Sequence, residues 1–335
     1  MAKDLNSNEY RYRKTVGSMG FTMLIFVLLF YGSSFLCSIF ADVILMFPIT
    51  EEFYVISVNL LSGGLYLLSF MLPVLIFKRR IARNGFSYQP MNAEPRITPW
   101  LPLIILASVL IVHTASEINY GIVTLFDTAS SGDSYVGSVI EYKGYELVLQ
   151  LITVCVVPAF CEEFLFRGAF LSNLLPFGRT TAIIASSLLF ALMHENPVQI
   201  LYTFIAGMLL GLIYVKTGSI WNCIILHLFN NFFSVVEEML YYNLYQWADW
   251  AIPLWRTGIY LLGSVSIAIL ILVFFSKKQR FEEGIYQKEL EPSDSYASLV
   301  VEPERSVKLF FTPCMITYLI LTALSIFGLW IGGGF

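Results

Sequence analysis

Residues 158–168 have the sequence PAFCEEFLFRG, an apolar stretch that nevertheless holds three charged side chains, Glu162, Glu163 and Arg167. A charged side chain in hydrocarbon costs about 2.5–3.5 kcal/mol even on the most permissive insertion scale. A membrane segment that keeps three charges must therefore use them on one another or on a substrate. The stretch indicates a buried polar centre within a helix that crosses a membrane.

The whole chain has the composition of a polytopic membrane protein. Of its 335 residues, 57% are hydrophobic and only 13% are charged, whereas a soluble domain carries about 25% charged residues. The sequence predicts an all-α, polytopic membrane helical bundle with about eight to nine transmembrane helices, each near the ~20 residues that the hydrocarbon requires. The predicted spans lie near 18–41, 54–77, 99–126, 146–170, 180–194, 197–215, 219–240, 257–275 and 309–331.

Positive charges predict the orientation, because cytoplasmic loops carry an excess of lysine and arginine. Such residues precede the first span and follow the second and eighth: Lys3, Arg11, Arg13, Lys14, Lys78, Arg79, Arg80, Arg83, Lys277, Lys278 and Arg280. The N-terminus is therefore expected in the cytoplasm, and the composition suits a bacterial plasma membrane. No basic stripe or recognition motif supports nucleic-acid binding, and the oligomeric state is not predicted.

The three charges of the 158–168 stretch are expected to divide into a structural pair and a reactive group. Glu163 and Arg167 are four residues apart, so on a helix they share a face and can form an ion pair. Glu162 projects about 100° away from Glu163 and remains available as a general base. The alternative is that both glutamates pair with Arg167 or face a water-filled vestibule.

Two histidines and an asparagine extend this polar set. His194 ends the short fifth span, and short, polar-interrupted spans often border a water-filled cavity. His227 and Asn231 lie four residues apart in the seventh span, where an imidazole and a carboxamide side by side could hold an oxyanion. The alternative is hydrogen bonding between helices at about 0.6 kcal/mol each, which is the role expected of Asn222 and Asn230.

Further polar and small residues carry weaker predictions. His113 lies midway along the third span with Glu117 four residues later, a pair that predicts a local salt bridge. Gly207 and Gly211 are also four residues apart and predict close packing of the sixth span.

Three motifs in consecutive order resemble one protein family. They are Glu-Glu-x-x-x-Arg at 162–167, Phe-x-x-x-His at 190–194 and His-x-x-x-Asn at 227–231. Together they resemble the CPBP family, the CAAX-protease and bacteriocin-processing group of intramembrane proteases, also called the Abi family. The resemblance covers roughly residues 145–240 and implies hydrolysis of peptide bonds in membrane-associated proteins or peptides, either CAAX-type substrates or bacteriocins and pheromones.

The hydropathy pattern and the resemblance together predict a division of the chain, and the resemblance implies roles for residues of its central part. Residues 1–140 would form three N-terminal spans, 141–245 a catalytic helical core, and 246–335 the C-terminal helices with a cytoplasmic loop at 276–308. Glu162 would activate the attacking water with the assistance of His194. His227 and Asn231 would stabilise the oxyanion of the tetrahedral intermediate.

The supporting roles and the cofactor follow from the same resemblance. Glu163 and Arg167 would hold the site together. Glu162, His194 and His227 could supply three ligands to zinc with a fourth position open. Equally, a carboxylate and an imidazole could activate water without a metal, and both alternatives remain open.

Two functions of other classes are compatible with the same residues. Buried Glu, His and Arg side chains also build the proton relays of proton-coupled transporters, although the sequence shows no internal repeat of the transporter kind. A non-enzymatic membrane partner, such as a bacteriocin immunity protein, is the other alternative. The ordered motifs favour the endopeptidase.

Overall fold

A computed structural model describes residues 7–127, 144–240, 250–276, 299 and 301–332 of the chain. All regular structure in these residues is helical, which confirms the predicted all-α class. Residues 277–298 of the predicted loop at 276–308 lie outside the described residues, and its last part forms a short helix, Pro303–Phe310.

The helices occur where the hydropathy of the sequence predicts spans. In chain order they are α1 (Ser7–Ile44), α2 (Glu51–Arg83), α3 (Leu101–Asp127), α4 (Gly144–Phe177), α5 (Arg179–Leu192), α6 (Pro197–Thr217), α7 (Ile220–Met239), α8 (Ala251–Ser276), α9 (Pro303–Phe310) and α10 (Pro313–Gly332).

Fewer of these helices meet the length and hydropathy of a membrane span than the sequence predicts. Six do so, namely α1, α2, α3, α4, α6 and α8, and a seventh is added if α9 and α10, which meet at a 71° bend, form one span. Helix α5 has 14 residues and is about 21 Å long, short of the ~30 Å hydrocarbon core. Helix α7 is not among the six, and four polar side chains lower its hydropathy: Asn222, His227, Asn230 and Asn231.

Local sequence signals explain several helix ends. Helix α2 begins after Thr50, whose hydroxyl accepts a hydrogen bond from the Phe53 N–H at 3.3 Å, as an N-cap residue does. Helix α6 begins with Asn196 as its cap and Pro197 in its first turn, and it ends at Gly218 with a φ of 64°. A glycine takes that left-handed conformation without the strain that a side chain would add.

The chain divides into two compact units, of which the first comprises Met1–Met91, Tyr142–Ala182 and Ser295–Leu321. Aromatic side chains join its helices, with ring centroids 4.8 Å apart for Phe26 of α1 and Phe70 of α2 and 5.2 Å apart for Phe77 of α2 and Phe170 of α4. A Cβ added at Gly20 of α1 would lie 2.5 Å from the Met315 nitrogen of α10. The backbones of α1 and α10 therefore approach closely, and only glycine fits at this position.

The second unit comprises Asn92–Glu141, Ile183–Asp294 and Thr322–Phe335. Asn222 of α7 is fully buried and fastens the segment before α3, since it accepts from the Thr98 N–H at 3.0 Å and donates to the Arg96 carbonyl at 2.8 Å. Asn230 of α7 donates to the Ser108 hydroxyl of α3 at 3.3 Å. The hydrogen bonding between helices that was expected of both asparagines is confirmed for Asn230, whereas Asn222 bonds the non-helical segment before α3.

Helices α5 and α6 pack closely through the two glycines that the sequence indicates. A Cβ added at Gly207 would lie 3.0 Å from the Ser187 Cβ and 3.3 Å from the Phe190 ring, and one added at Gly211 would lie 3.2 Å from Ile183. The prediction of close packing is therefore confirmed. Since Ser187 is approached at its backbone as well, at 3.1 Å, a methyl group at Gly207 would press on α5 more tightly than an ordinary van der Waals contact.

We expect Gly207→Ala to destabilise the protein by about 1–3 kcal/mol, because the added methyl group overpacks the α5–α6 contact. The matched control is Gly258→Ala in α8, where an added Cβ meets no atom within 4 Å and alanine favours the helix. Thermal unfolding of the full chain in detergent measures both. Equal midpoints for the two variants would contradict the close packing.

Candidate active site

The carboxylates of the first unit lie where the winding of α4 changes. Residues Val157–Glu163 are α-helical, and residues Phe164–Leu171 form a wider π-helical stretch, with a second such stretch at Leu151–Val156. Short π-helical segments are frequent at functional sites because they re-aim neighbouring side chains. Glu162 and Glu163 are the last two residues before the wide turn, a placement that hydropathy alone does not predict.

Glu163 and Arg167 form the buried ion pair that their spacing predicts. Arg167 Nη1 lies 2.7 Å from Glu163 Oε1, and both side chains are 0% exposed. Removal of one partner from such a pair costs about 3–5 kcal/mol, because the other charge is left uncompensated in a medium of low dielectric. The pair therefore fixes this part of α4 as a unit.

Glu162 is buried as well, at 4% exposure, and a tyrosine hydroxyl contacts its carboxylate. The Tyr66 hydroxyl of α2 donates to Glu162 Oε1 at 2.6 Å, the short distance of a hydrogen bond to a charged acceptor. This contact orients the carboxylate that the sequence singles out for chemistry. Tyr66 was not predicted to be a site residue. Its sequence context, one phenol in the apolar run of the second span, does not distinguish it from other aromatic residues.

In the second unit, two histidines contact one aromatic ring. Phe190 of α5 lies edge-to-face with His194, at 5.2 Å between ring centroids, and with His227 of α7, at 5.7 Å. His227 is 5% exposed. The structure thus places two predicted site residues against the ring of Phe190. The sequence identified Phe190 only as the first residue of a motif. Asn231, one turn after His227 on α7, is half-buried.

The hydrogen bonding of His194 selects one tautomer. His194 Nδ1 lies 2.8 Å from the Phe190 carbonyl oxygen, and a carbonyl can only accept, so Nδ1 carries the proton. In the neutral ring, Nε2 is then the nitrogen that can take a proton or bind a metal ion. This is the form of imidazole that assistance to a general base requires.

Hydrogen bonds from α10 and α3 fix the turn that carries His194. Glu195 has a φ of 50°, unusual for a residue with a side chain, and its carboxylate accepts from the Ser325 hydroxyl of α10 at 2.5 Å. Asn119 of α3 donates to the Pro197 and Val198 carbonyls at 3.0 and 2.6 Å. These contacts fix the turn although no sequence motif marks them.

The salt bridge predicted between His113 and Glu117 is not the one formed. His113 Nδ1 lies 3.3 Å from Glu237 Oε2 of α7, whereas Glu117 pairs with Arg256 of α8 at 3.3 Å. The spacing along α3 identified the two charged residues. It could not predict that Glu237 and Arg256, on other helices, would be their partners.

A helical membrane protein that buries the Glu162 carboxylate and the His227 imidazole in its apolar helices has groups that peptide hydrolysis requires. Residues 144–233 match the family model described as type II CAAX prenyl endopeptidase Rce1-like. This segment contains all three motifs, and the match confirms the resemblance to the CAAX-protease group. The protein is a peptidase, an intramembrane endopeptidase with several membrane spans, and it acts on membrane-associated substrates. Searches of curated proteins and of solved structures find no match.

We expect Tyr66→Phe to lower the catalytic rate about tenfold or more, because a hydrogen bond to a charged group contributes about 1.5–3 kcal/mol. Substrate binding should change little, so the loss should fall on kcat rather than KM. Tyr12→Phe is the matched control, since the buried Tyr12 hydroxyl has no hydrogen-bond partner among the described residues. Equal rates for the two variants would show that Tyr66 does not orient Glu162.

Proposed function

We propose that the protein cleaves lipidated C-terminal peptides of the CAAX type, with Glu162, His194, His227 and Asn231 as its catalytic residues. The match of residues 144–233 to the Rce1-like family model supports this proposal above all other observations. That family description names prenyl substrates, and it therefore supports a CAAX-type substrate over bacteriocins or pheromones.

Glu162 is the proposed general base. Its carboxylate takes a proton from water, and the water oxygen then attacks the carbonyl carbon of the scissile peptide bond. The burial of Glu162 and its bond from Tyr66 support this role, because they hold one carboxylate oxygen in place. The neighbouring Glu163 is committed to Arg167, which leaves Glu162 as the glutamate for chemistry.

His194, His227 and Asn231 complete the proposed mechanism. His194 assists the base through Nε2, the ring nitrogen that its hydrogen bond to the Phe190 carbonyl leaves with a lone pair in the neutral ring. His227 and Asn231 stabilise the oxyanion that forms as the carbonyl is attacked. The proton taken from water returns to the leaving amine as the peptide bond breaks.

A zinc ion is compatible with this set of donors. One carboxylate and two imidazoles, from Glu162, His194 and His227, are ligand types that zinc prefers. Bound zinc would supply Lewis-acid activation of water. With or without it, these three side chains bind and orient the attacking water.

An apolar cavity in the second unit supports a substrate with a hydrophobic anchor. It has a volume of about 450 Å³ and is lined by aromatic and aliphatic side chains, among them Phe233, Trp250, Leu254, Trp255 and Leu262. A prenyl chain is an apolar ligand of the kind that such cavities bind. Phe233 lies on α7, the helix that also carries His227 and Asn231.

The proposed setting is a bacterial plasma membrane with the N-terminus in the cytoplasm. The lysine and arginine residues in the first two turns of α1 and at the end of α2 support this orientation under the positive-inside rule. Prenylated C-terminal peptides would then approach from the membrane surface to which their lipid anchors them.

Adjacent glutamates give a matched test of the catalytic assignment. Glu162→Gln should lower peptide cleavage in liposomes at least about a hundredfold, the contribution of a general base, with little change in thermal unfolding. Glu163→Gln should instead lower the unfolding midpoint, because it leaves Arg167 without its buried counter-charge. Full activity of Glu162→Gln would overturn the proposed role.

The substrate class is tested with three peptides of one sequence and the purified wild type in liposomes. One ends in a farnesylated C-a-a-X box, the second carries the same box without the lipid, and the third replaces the lipid with an apolar helical anchor. We expect cleavage of the first alone. Equal cleavage of the third would assign the enzyme to anchored peptides in general, and would overturn the prenyl-specific proposal.

A further inference from the structure

A second group of charged side chains lies within the second unit. It joins three helices: His113 and Glu117 of α3, Glu237 of α7 and Arg256 of α8. His113 Nδ1 lies 3.3 Å from Glu237 Oε2, and Arg256 lies 2.9 Å from Glu237 and 3.3 Å from Glu117. We propose that His113, Glu117 and Glu237 form a binding site for a divalent transition-metal ion of the zinc type.

The donor atoms have the type and spacing that such an ion requires. One ligand atom from each of His113, Glu117 and Glu237 lies within 4.8 Å of the others, and imidazole with carboxylates is a common zinc set. Two ligands on tetrahedral zinc, at bond lengths near 2.0–2.1 Å, are about 3.4 Å apart. The 3.3 Å between His113 Nδ1 and Glu237 Oε2 is already close to that separation.

The cavity around these residues has the charge and the vacant hydrogen-bonding capacity of a ligand site. It has a volume of about 440 Å³, and Glu117, Glu237 and Glu238 face it against the single guanidinium of Arg256. His113 Nε2 is buried and has no hydrogen-bond partner among the described residues. A buried polar atom of this kind is normally completed by water or a ligand.

Arg256 places its guanidinium between the two carboxylates that would bind the metal ion, and this group must move for the ion to enter. Its guanidinium bridges the two carboxylates but remains 43% exposed, so it can turn towards solvent when a metal ion enters. The exchange replaces one positive charge beside two carboxylates with two positive charges. Arg256 is therefore expected to compete with the metal and to weaken its binding.

The site is separate from the proposed catalytic histidines. Glu237 follows His227 by ten residues on α7, which is about 15 Å along the helix axis. A metal bound there would join α3 to α7 and stabilise the second unit. Metal found in the purified protein would then not be evidence of a catalytic metal.

The test is a cobalt titration of the full-length protein, stripped with chelator and held in detergent. Tetrahedral Co²⁺ gives visible absorption bands, and added Zn²⁺ should abolish them by displacement. We expect one ion per chain, with affinity at least about tenfold weaker in His113→Ala and in Glu237→Gln. Unchanged binding in His113→Ala would overturn the proposal.

Three further variants keep the result interpretable. Arg256→Gln retains all three ligands and removes the competing cation, so we expect it to bind Co²⁺ several-fold more tightly than the wild type. Tighter binding excludes misfolding as the cause of losses in the other variants, whereas equal or weaker binding contradicts the site. Glu162→Ala and His194→Ala should bind as the wild type does. Loss of the ion in these variants alone would place the metal at the proposed catalytic residues and overturn this proposal, without contradicting the peptidase.

Discussion

The ion pair between Glu163 and Arg167 is the constraint on which the charged part of α4 depends. Two full charges with no solvent exposure are tolerated in an apolar helix only because each compensates the other. Their spacing of four residues orients the pair along one face of α4. The adjacent Glu162 must therefore point elsewhere, and its carboxylate meets the Tyr66 hydroxyl instead. One structural pair thus defines which of two neighbouring glutamates is available for chemistry.

Much of the helical framework was predictable, because apolar length and helix signals act locally. The spans, the Asn196–Pro197 start of α6 and the close packing at Gly207 all follow from residue type and spacing. The pair between Glu163 and Arg167 was predictable for the same reason. Partners from other helices were not, as His113 shows: Glu117 is its neighbour in sequence, but Glu237 of α7 is its partner in space.

In the candidate site, too, residue types were predictable from sequence, whereas contacts between helices were not. The motifs identified the ionisable residues from their types, since carboxylates and imidazoles are costly in a membrane. The groups that orient them carry no such signal. Tyr66 and Phe190 are ordinary members of apolar helices, and Asn119 bonds to backbone groups, donating to two carbonyls and accepting from the Leu201 N–H. The π-helical stretch beside Glu163 depends on tertiary packing and cannot be derived from composition.

The bond between Ser325 and Glu195 shows that the fold does not end with the recognisable domain. Ser325 lies in the last helix, more than ninety residues beyond the segment that matches the family model. It nevertheless anchors the residue that follows His194, whose backbone conformation is one that side chains rarely adopt. Substitutions in the terminal helix can therefore alter the geometry of the His194 imidazole, which lies within the segment that matches the family model. Comparisons restricted to the shared segment would miss this source of divergence between related enzymes.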